Sequence, residues 1–329
     1  MTAVTNDVTQ PLPVVPDGSR LASGLALALV SAATFGMSGA LARGLLDTGW
    51  SAGAVVLVRV GIAALVVLPF GLHALKGQWR MLRGNAGLVA VYGVLAVAGA
   101  QFCYFSAVDH MQVGPALLIE YTAPATVVVW LWARHGQRPG WVTVAGAGLA
   151  ALGLVLVLDL ISGADLSLVG VLWALAAMVG AATYFVISAD EGNGMPPLVL
   201  AAAGLVVGTI VLALLGGVGL LAMDTSDADV TYSGWTVAWW VPLAVLGIVT
   251  AAIAYTTGIA ASRRLGSRLA SFVALLEVVA GVGFAWLLLD ELPHTAQLVG
   301  GLLVLAGVVA VKLGERDTAP GAPSSFPQD

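Results

Sequence analysis

Three charged side chains sit inside otherwise apolar stretches of this chain: Arg59, Glu120 and Glu277. An ionisable group in hydrocarbon is costly, so each must face a wet space or a partner. Glu120 carries a second feature. Pro124 follows four residues later and has no N–H to donate to the residue at i−4, so the backbone oxygen of Glu120 is left free beside its own carboxyl group. Together they form a site for a proton, a cation or a substrate ammonium; the plainer reading is a hydrogen-bonded glutamate that ties helices together. Glu277 supports the same two readings. Arg59 cannot shed its charge. It reads either as a clamp for a substrate carboxylate or partner of Glu120 or Glu277, or as a structural ion pair. Gln101 lies one helical turn before Tyr104, and Tyr255 and Tyr121 are further aromatic groups with a polar tip, as are Tyr184 and Trp173. Such residues line mostly apolar pockets with a few polar handles, or else simply pack.

The elements that position these groups follow from where charge is missing. The runs Leu21–Ala42, Gly84–Val108, Pro139–Leu158, Leu166–Ala189, Gly192–Met223, Val230–Ser262 and Leu292–Val311 contain no Asp, Glu, Lys or Arg. About 20 apolar residues cross a bilayer as a helix. Charged residues make up 9% of the chain, too few to clothe a soluble domain, where about 25% is usual. The sequence therefore predicts an all-α integral membrane protein with ten spans near 21–42, 52–72, 86–107, 113–133, 141–158, 168–188, 197–221, 238–261, 267–289 and 295–313. Proline-containing polar tails flank them at residues 1–19 and 314–329 and read as disordered. The first span reads as a retained helix, because its apolar run is longer than that of a cleaved leader.

Of the 13 basic residues, eleven fall on one side of this ten-span arrangement: Arg20, then Lys76, Arg80 and Arg83, Arg134 and Arg138, Arg263, Arg264 and Arg268, and Lys312 and Arg316. The other side has Arg43 alone. Basic loops stay in the cytoplasm, so both termini are expected there, in a plasma (inner) membrane protein. Asp224, Asp227 and Asp229 then lie outside.

The chain also repeats itself. Gln137-Arg138-Pro139 and Val142–Val157 align without a gap onto Glu291-Leu292-Pro293 and Ala296–Val311, an offset of 154 residues that pairs Gly146 with Gly300 and Gly153 with Gly307. Tyr104 matches Tyr255, and Ala33-Thr34-Phe35 matches Ala182-Thr183-Tyr184, at slightly different offsets. Two repeats of five helices, 20–160 and 161–313, are expected. Five is odd, so the second must enter the bilayer from the opposite side. Inverted repeats with a midplane site between them are a recurring plan of secondary transporters.

The five-helix duplication, Leu-Leu-Ile-Glu-Tyr-Thr-Ala-Pro at 117–124 and Asp-Glu-Leu-Pro…Gln-Leu-Val-Gly-Gly-Leu-Leu-Val-Leu-Ala-Gly-Val at 290–308 resemble the EamA-type drug/metabolite transporters over nearly the whole chain. The Glu-Tyr-Thr-Ala-Pro stretch is similar to the threonine/homoserine exporter branch. That resemblance implies efflux of small metabolites, amino acids or related compounds. The halves depart from one another: Glu291 keeps an acidic residue that many family repeats have before their last helix, whereas Gln137 does not; Val278 stands where Pro would; Arg59 has no basic mate.

Other classes find little support. There is no basic patch for nucleic acid, and no His-Glu-x-x-His, Gly-x-Ser-x-Gly or phosphate loop. Neither a metal nor another cofactor is expected, and Cys103 reads as packing. Without a nucleotide motif, transport would run on gradients. Gly204-x-x-x-Gly208 is a close-packing signal, used within the chain or in a homodimer. A membrane enzyme on a lipid-soluble substrate would need polar groups clustered at one interface, and a scaffold or sensor would need larger loops. The expected activity is alternating-access export, with proton exchange at Glu120.

Overall fold

Lipid leaves the backbone no partner but itself, and the apolar runs accordingly become helices. In the computed structural model, the residues described are 18–123, 140–157, 167–189, 194–258, 260–261, 264–265, 273 and 275–314. Helix α1 is Gly18–Asp47, α2 Ala52–Leu75, and a short α3 Trp79–Gly84. Next come α4 (Ala86–His110) and α5 (Val113–Glu120), then α6 (Trp141–Val157). The second half supplies α7 (Leu168–Ala189), α8 (Pro197–Gly217), α9 (Trp240–Gly258), α10 (Leu276–Leu289) and α11 (Thr295–Gly314). By length and composition α1, α2, α4, α7, α8 and α9 can each cross a membrane, and α6, α10 and α11 are shorter apolar helices. Many large apolar side chains are exposed, among them Leu65, Phe70, Leu152, Leu214, Leu287 and Leu302, as lipid-facing surfaces require.

Helix ends follow local chemistry. Ser51 caps α2 by accepting from the Ala54 amide, and Lys76 closes it in the left-handed region at φ 48°. Pro197 sits in the first turn of α8, where its missing N–H costs nothing. The loop before α9 holds a feature the sequence reading lacked. Strands β1 (Val230–Tyr232) and β2 (Trp235–Val237) pair antiparallel around Ser233-Gly234, both at positive φ, a turn whose twist suits a two-residue hairpin. Tyr232 of β1 donates to the Leu41 carbonyl (2.8 Å), and Trp50 donates from its indole to the Ser226 carbonyl (2.8 Å). These bonds fasten the loop to the α1–α2 corner.

The packing of the halves is reciprocal. The first half contributes α1, α2, α4, α5 and α6 as its long or apolar members; their mates are α7, α8, α9, α10 and α11. Helix α1 packs on α10 as α7 packs on α5; α4 packs on α7 and α8 as α9 packs on α1 and α2. Two pairs are their own mates, α2 with α8 and α6 with α11. At the α6–α11 crossing Gly153 lies against the backbone of Gly300 and Val304, and Gly307 lies against that of Gly146 and Ala150. The partner numbers fall as the helix numbers rise, so α6 and α11 run antiparallel, and exchanging the halves by 154 residues turns one contact into the other. Gly71 against Leu198 and Ala202, and Gly61 against Thr209, give the same sense for α2 and α8. Gly204 and Gly208 approach Tyr92, Gly93 and Val97 of α4. The Gly-x-x-x-Gly signal is thus used inside the chain.

Candidate functional site

Residue Arg59 lies about a third of the way along α2, with 1% of its surface exposed. Its Nη1 donates to the Gln101 side-chain oxygen, and its Nη2 donates to the Thr250 carbonyl at 2.9 Å. The Phe105 ring covers the guanidinium at 5.1 Å, a cation–π contact. Gln101 and Phe105 are one turn apart on α4, so one helix face supplies both. Thr250 belongs to a π-helical stretch, Ile248–Ile253, and α4 contains its counterpart at Tyr92–Gly99. Such widened turns recur at functional sites; here one presents a backbone carbonyl to a buried charge. The Nε atom of Arg59 is enclosed and without a partner among the described residues. An ion pair with Glu120 or Glu277, one of the roles open to Arg59, is absent among the described residues, where Arg43 pairs with Asp47. A carbonyl, an amide and a ring solvate the cation instead, though both glutamates are near enough to feel its charge.

Glu120 ends α5. The helix stops there because Thr122 turns back to the Ile119 carbonyl, and Pro124, which was expected to free the Glu120 carbonyl, lies outside the described residues. Residues from Ala116 to Ile119 are buried, while Glu120, Tyr121 and Thr122 are half-buried. Helix α5 is in contact with α1, α4, α6, α7, α10 and α11, which belong to both halves. Among the described residues the Glu120 carboxylate has no hydrogen-bond partner; its electrostatic neighbours are Glu277 and Arg59. Glu277 sits in the first turn of α10, where the helix dipole favours a negative charge. The Tyr121 hydroxyl donates to its Oε2. Adjacent residues of α5 and its following turn therefore treat the two acids differently: Tyr121 holds Glu277, and Glu120 is uncommitted.

The two repeat-related tyrosines part company. Tyr255 receives a bond from the Gln101 amide at 3.4 Å and stands in a ring of aromatics, with Phe35 at 5.0 Å and Tyr184 at 6.4 Å between centroids. Tyr184 in turn meets Tyr92, and Phe102 meets Trp173 edge-on at 5.5 Å. Tyr104 is buried, and its hydroxyl is unpartnered among the described residues and close against Gly39. Its hydrogen bonding differs from that of Tyr255, though Arg59, Glu120 and Glu277 are charged neighbours of both. Sequence reasoning missed Phe105 and the Thr250 carbonyl. The first was signalled by its spacing from Gln101; a carbonyl exposed by a π turn has no side-chain signature.

A second polar group gathers at one end of the bundle. Glu291, between α10 and α11, accepts from the Val113 amide that begins α5 (3.2 Å), and Gln297 donates to Gln112 (3.3 Å). Arg43 pairs with Asp47 and donates to the Val108 carbonyl. Burial pushes the Glu291 carboxyl up, against the opposing pull of the Val113 bond and the Arg43 charge.

Taken together these features define a duplicated, helical, multi-pass membrane protein whose charged groups meet between its halves. The model of the EamA-like transporter family matches residues 22–159 and again 168–313. The chain belongs to that family and is a membrane transporter. Among its relatives, an uncharacterized transporter of Archaeoglobus fulgidus is 26% identical over 255 residues, covering 78% of this chain and 84% of that protein. An uncharacterized transporter of Synechocystis is 24% identical over 285 residues, covering 82% and 77%. One solved structure superposes with a TM-score of 0.59 at 22% identity, covering 90% of this chain and 97% of the other, which speaks to the fold. Neither relative's name carries a substrate.

Proposed function

We propose that this chain exports small metabolites, amino acids or related amine-bearing compounds, across the plasma membrane by alternating access of two inverted halves, exchanging a proton at Glu120. The observation that carries the reading is the antiparallel crossing of repeat-related helices. A two-fold axis that maps α6 onto an antiparallel α11 must run perpendicular to both. If those helices cross the bilayer, the axis lies in its plane, which is the plan of inverted-repeat transporters. Glu120 then stands between the halves, half-buried and uncommitted, at the end of α5 whose dipole opposes a fixed negative charge there. That setting favours a carboxylate that trades its charge for a proton or a bound cation. The distribution of basic residues supports cytoplasmic termini, and with that orientation the Glu291–Val113 tie would face outside.

The test is solute flux from proteoliposomes loaded with an amine and amino-acid mixture, with and without an imposed pH gradient. Wild-type protein should give flux that the gradient accelerates, and Glu120→Gln should reconstitute normally yet lose the acceleration. Undiminished gradient-driven flux through Glu120→Gln would remove proton exchange at that residue.

A further inference from the structure

Helix α3 has six residues, and helices shorter than about 12 are marginal on their own. Little in it offsets that weakness. Its N-cap, Gln78, makes no side-chain bond, and its first turn holds no acid. Arg80 stands there instead, against the helix dipole. Arg80 and Arg83 lie three apart, so two like charges are neighbours on one face, which also opposes the helix. Lys76 adds a third cation in the left-handed turn before it. All three residues are exposed. No Asp or Glu occurs from Thr48 to Val108, and none of the three cations makes an ion pair among the described residues. At about 100° per residue, Trp79, Arg80 and Arg83 share one arc of α3, and Met81 and Leu82 occupy the opposite one. Met81 and Leu82 pack on the core, so the arc with the two arginines and Trp79, itself 52% exposed, points away from the bundle.

We propose that this face of α3, with Lys76, seats the headgroup of an anionic phospholipid. The unpaired cations supply the charge complement, and a guanidinium fork suits phosphate oxygens. Trp79 is of the type that settles at the headgroup level. Phe70 and Leu72 are exposed near the end of α2, one to two turns before Lys76, and form an apolar rail for the acyl chains. Gly77, Gly84 and Gly87 have nothing within 4 Å of the point where a side chain would begin, which leaves the backbone around α3 open to a headgroup. A free phosphate ion would use the cations but not Trp79 or the rail, so the combination fits a lipid. On the orientation read from the basic residues this end faces the cytoplasm, where the leaflet is anionic and each basic residue near the surface gains about fivefold in binding. A lipid held there braces α2 against α4, the helices that carry Arg59 and its partners Gln101 and Phe105. The proposal is independent of the substrate and of the direction of transport.

The test is thermal unfolding of the full chain in detergent micelles doped with phosphatidylglycerol or with phosphatidylcholine of the same acyl chains. Phosphatidylglycerol should reach half of its stabilising effect at a mole fraction at least about tenfold lower than phosphatidylcholine does. The triple variant Lys76→Gln, Arg80→Gln, Arg83→Gln changes only exposed positions, so it should fold and lose that difference. Arg43→Gln removes a cation at the opposite end of α2 and should keep it. Quenching of tryptophan fluorescence by brominated-chain phosphatidylglycerol locates the seat: its excess over brominated phosphatidylcholine should fall in Trp79→Phe. Equal half-effects for the two lipids, a difference that survives in the triple variant, or one that disappears in Arg43→Gln overturns the proposal. Quenching unchanged by Trp79→Phe puts the lipid elsewhere and also overturns it. Inorganic phosphate that stabilises as well as phosphatidylglycerol does would make this a site for a free anion and not for a lipid. Asp190 and Glu191 lie outside the described residues; if they neutralise the cations, the wild type will show no preference for phosphatidylglycerol, and the proposal fails.

Discussion

Gly153→Ala at the α6–α11 crossing tests the two-fold relation on which alternating access depends. The added methyl group would lie 2.6 Å from the Gly300 carbonyl oxygen and the Val304 amide nitrogen, and 2.9 Å from Leu303 Cβ. Two of the three are backbone atoms and cannot rotate away. Ordinary contact begins near 3.4 Å, so the helices must part by about 0.8 Å, enough to forfeit about a quarter to a half of the dispersion energy across the contact. Overpacking of this kind costs about 1–3 kcal/mol. Alanine returns about 1 kcal/mol through helix propensity, leaving a net loss of about 0–2 kcal/mol. Gly307→Ala meets Gly146 and Ala150 at 2.5 to 2.8 Å and should lose a similar amount, because it is the same contact seen from the other half. Gly148→Ala, on the same helix with nothing within 4 Å, is the control and should be neutral or stabilising by up to about 1 kcal/mol. Unfolding midpoints from SDS titration of detergent-solubilised protein, followed by circular dichroism, give the three values. One separation relieves both clashes, so the double variant should lose less than the sum. Gly153→Ala unfolding together with Gly148→Ala, or one glycine costing several times its mate, would refute the reciprocal packing.

Tyr121→Phe removes the hydroxyl that holds Glu277 and should lower stability by about 0.5–1.5 kcal/mol, the net contribution of a typical hydrogen bond; in a double-mutant cycle with Glu277→Gln the two losses should fall well short of adding, and strict additivity in the SDS titration would deny the bond. Glu291 is held above its ordinary range by burial, so the native state binds its proton more tightly than the unfolded chain does. The stability this gives is complete below the unfolded value of about 4.3 and is lost as pH rises through the native one. The melting temperature of the wild type should therefore decline over that interval with a step that Glu291→Gln lacks, and superimposable pH profiles would exclude it.

Much of the scaffold was legible because lipid simplifies the physics: a helix must satisfy itself, so the absence of charge marks a span. The gaps in charge at Leu21–Ala42 and Gly192–Met223 foreshadow α1 and α8, and the pairing of Gly146 with Gly300 and Gly153 with Gly307 foreshadows the reciprocal crossing. The hairpin at Val230–Tyr232 and Trp235–Val237 was not legible, since a three-residue strand has too few alternations to register and its run is apolar for other reasons. The site was legible as a set of side chains but not as a set of bonds. A buried cation invites an acidic partner on paper, and two were available. In the structure Arg59 takes a backbone carbonyl that only a π turn offers, which no residue type announces. Tyr104 and Tyr255 are equivalent in the repeat and unequal in space because one faces Gly39 and the other Gln101.

That inequality bears on how a duplicated scaffold could be driven. Identical halves that exchange shapes would give two end states of equal energy, and nothing in the scaffold would prefer one. Here the backbone crossings are reciprocal while the polar ties are not. Glu291 accepts from the Val113 amide, but the residue at the equivalent position of the first half is Gln137, which carries no charge to offer. Arg59 has no basic mate in α8, and among the described residues Glu277 is bonded while Glu120 is not. If the halves exchange shapes as proposed, each of these one-sided interactions must be broken or remade, and none has a mate among the described residues. A bias between end states therefore resides in a few polar residues rather than in the helices. Glu120 is the acid among the described mid-span residues whose state can change without first breaking a hydrogen bond to the protein. Under the proposed exchange, a proton arriving at Glu120 would alter the charge between the halves at the point where α1, α4, α7 and α10 converge on α5, and differential binding there would shift the balance that the symmetric scaffold leaves close to even.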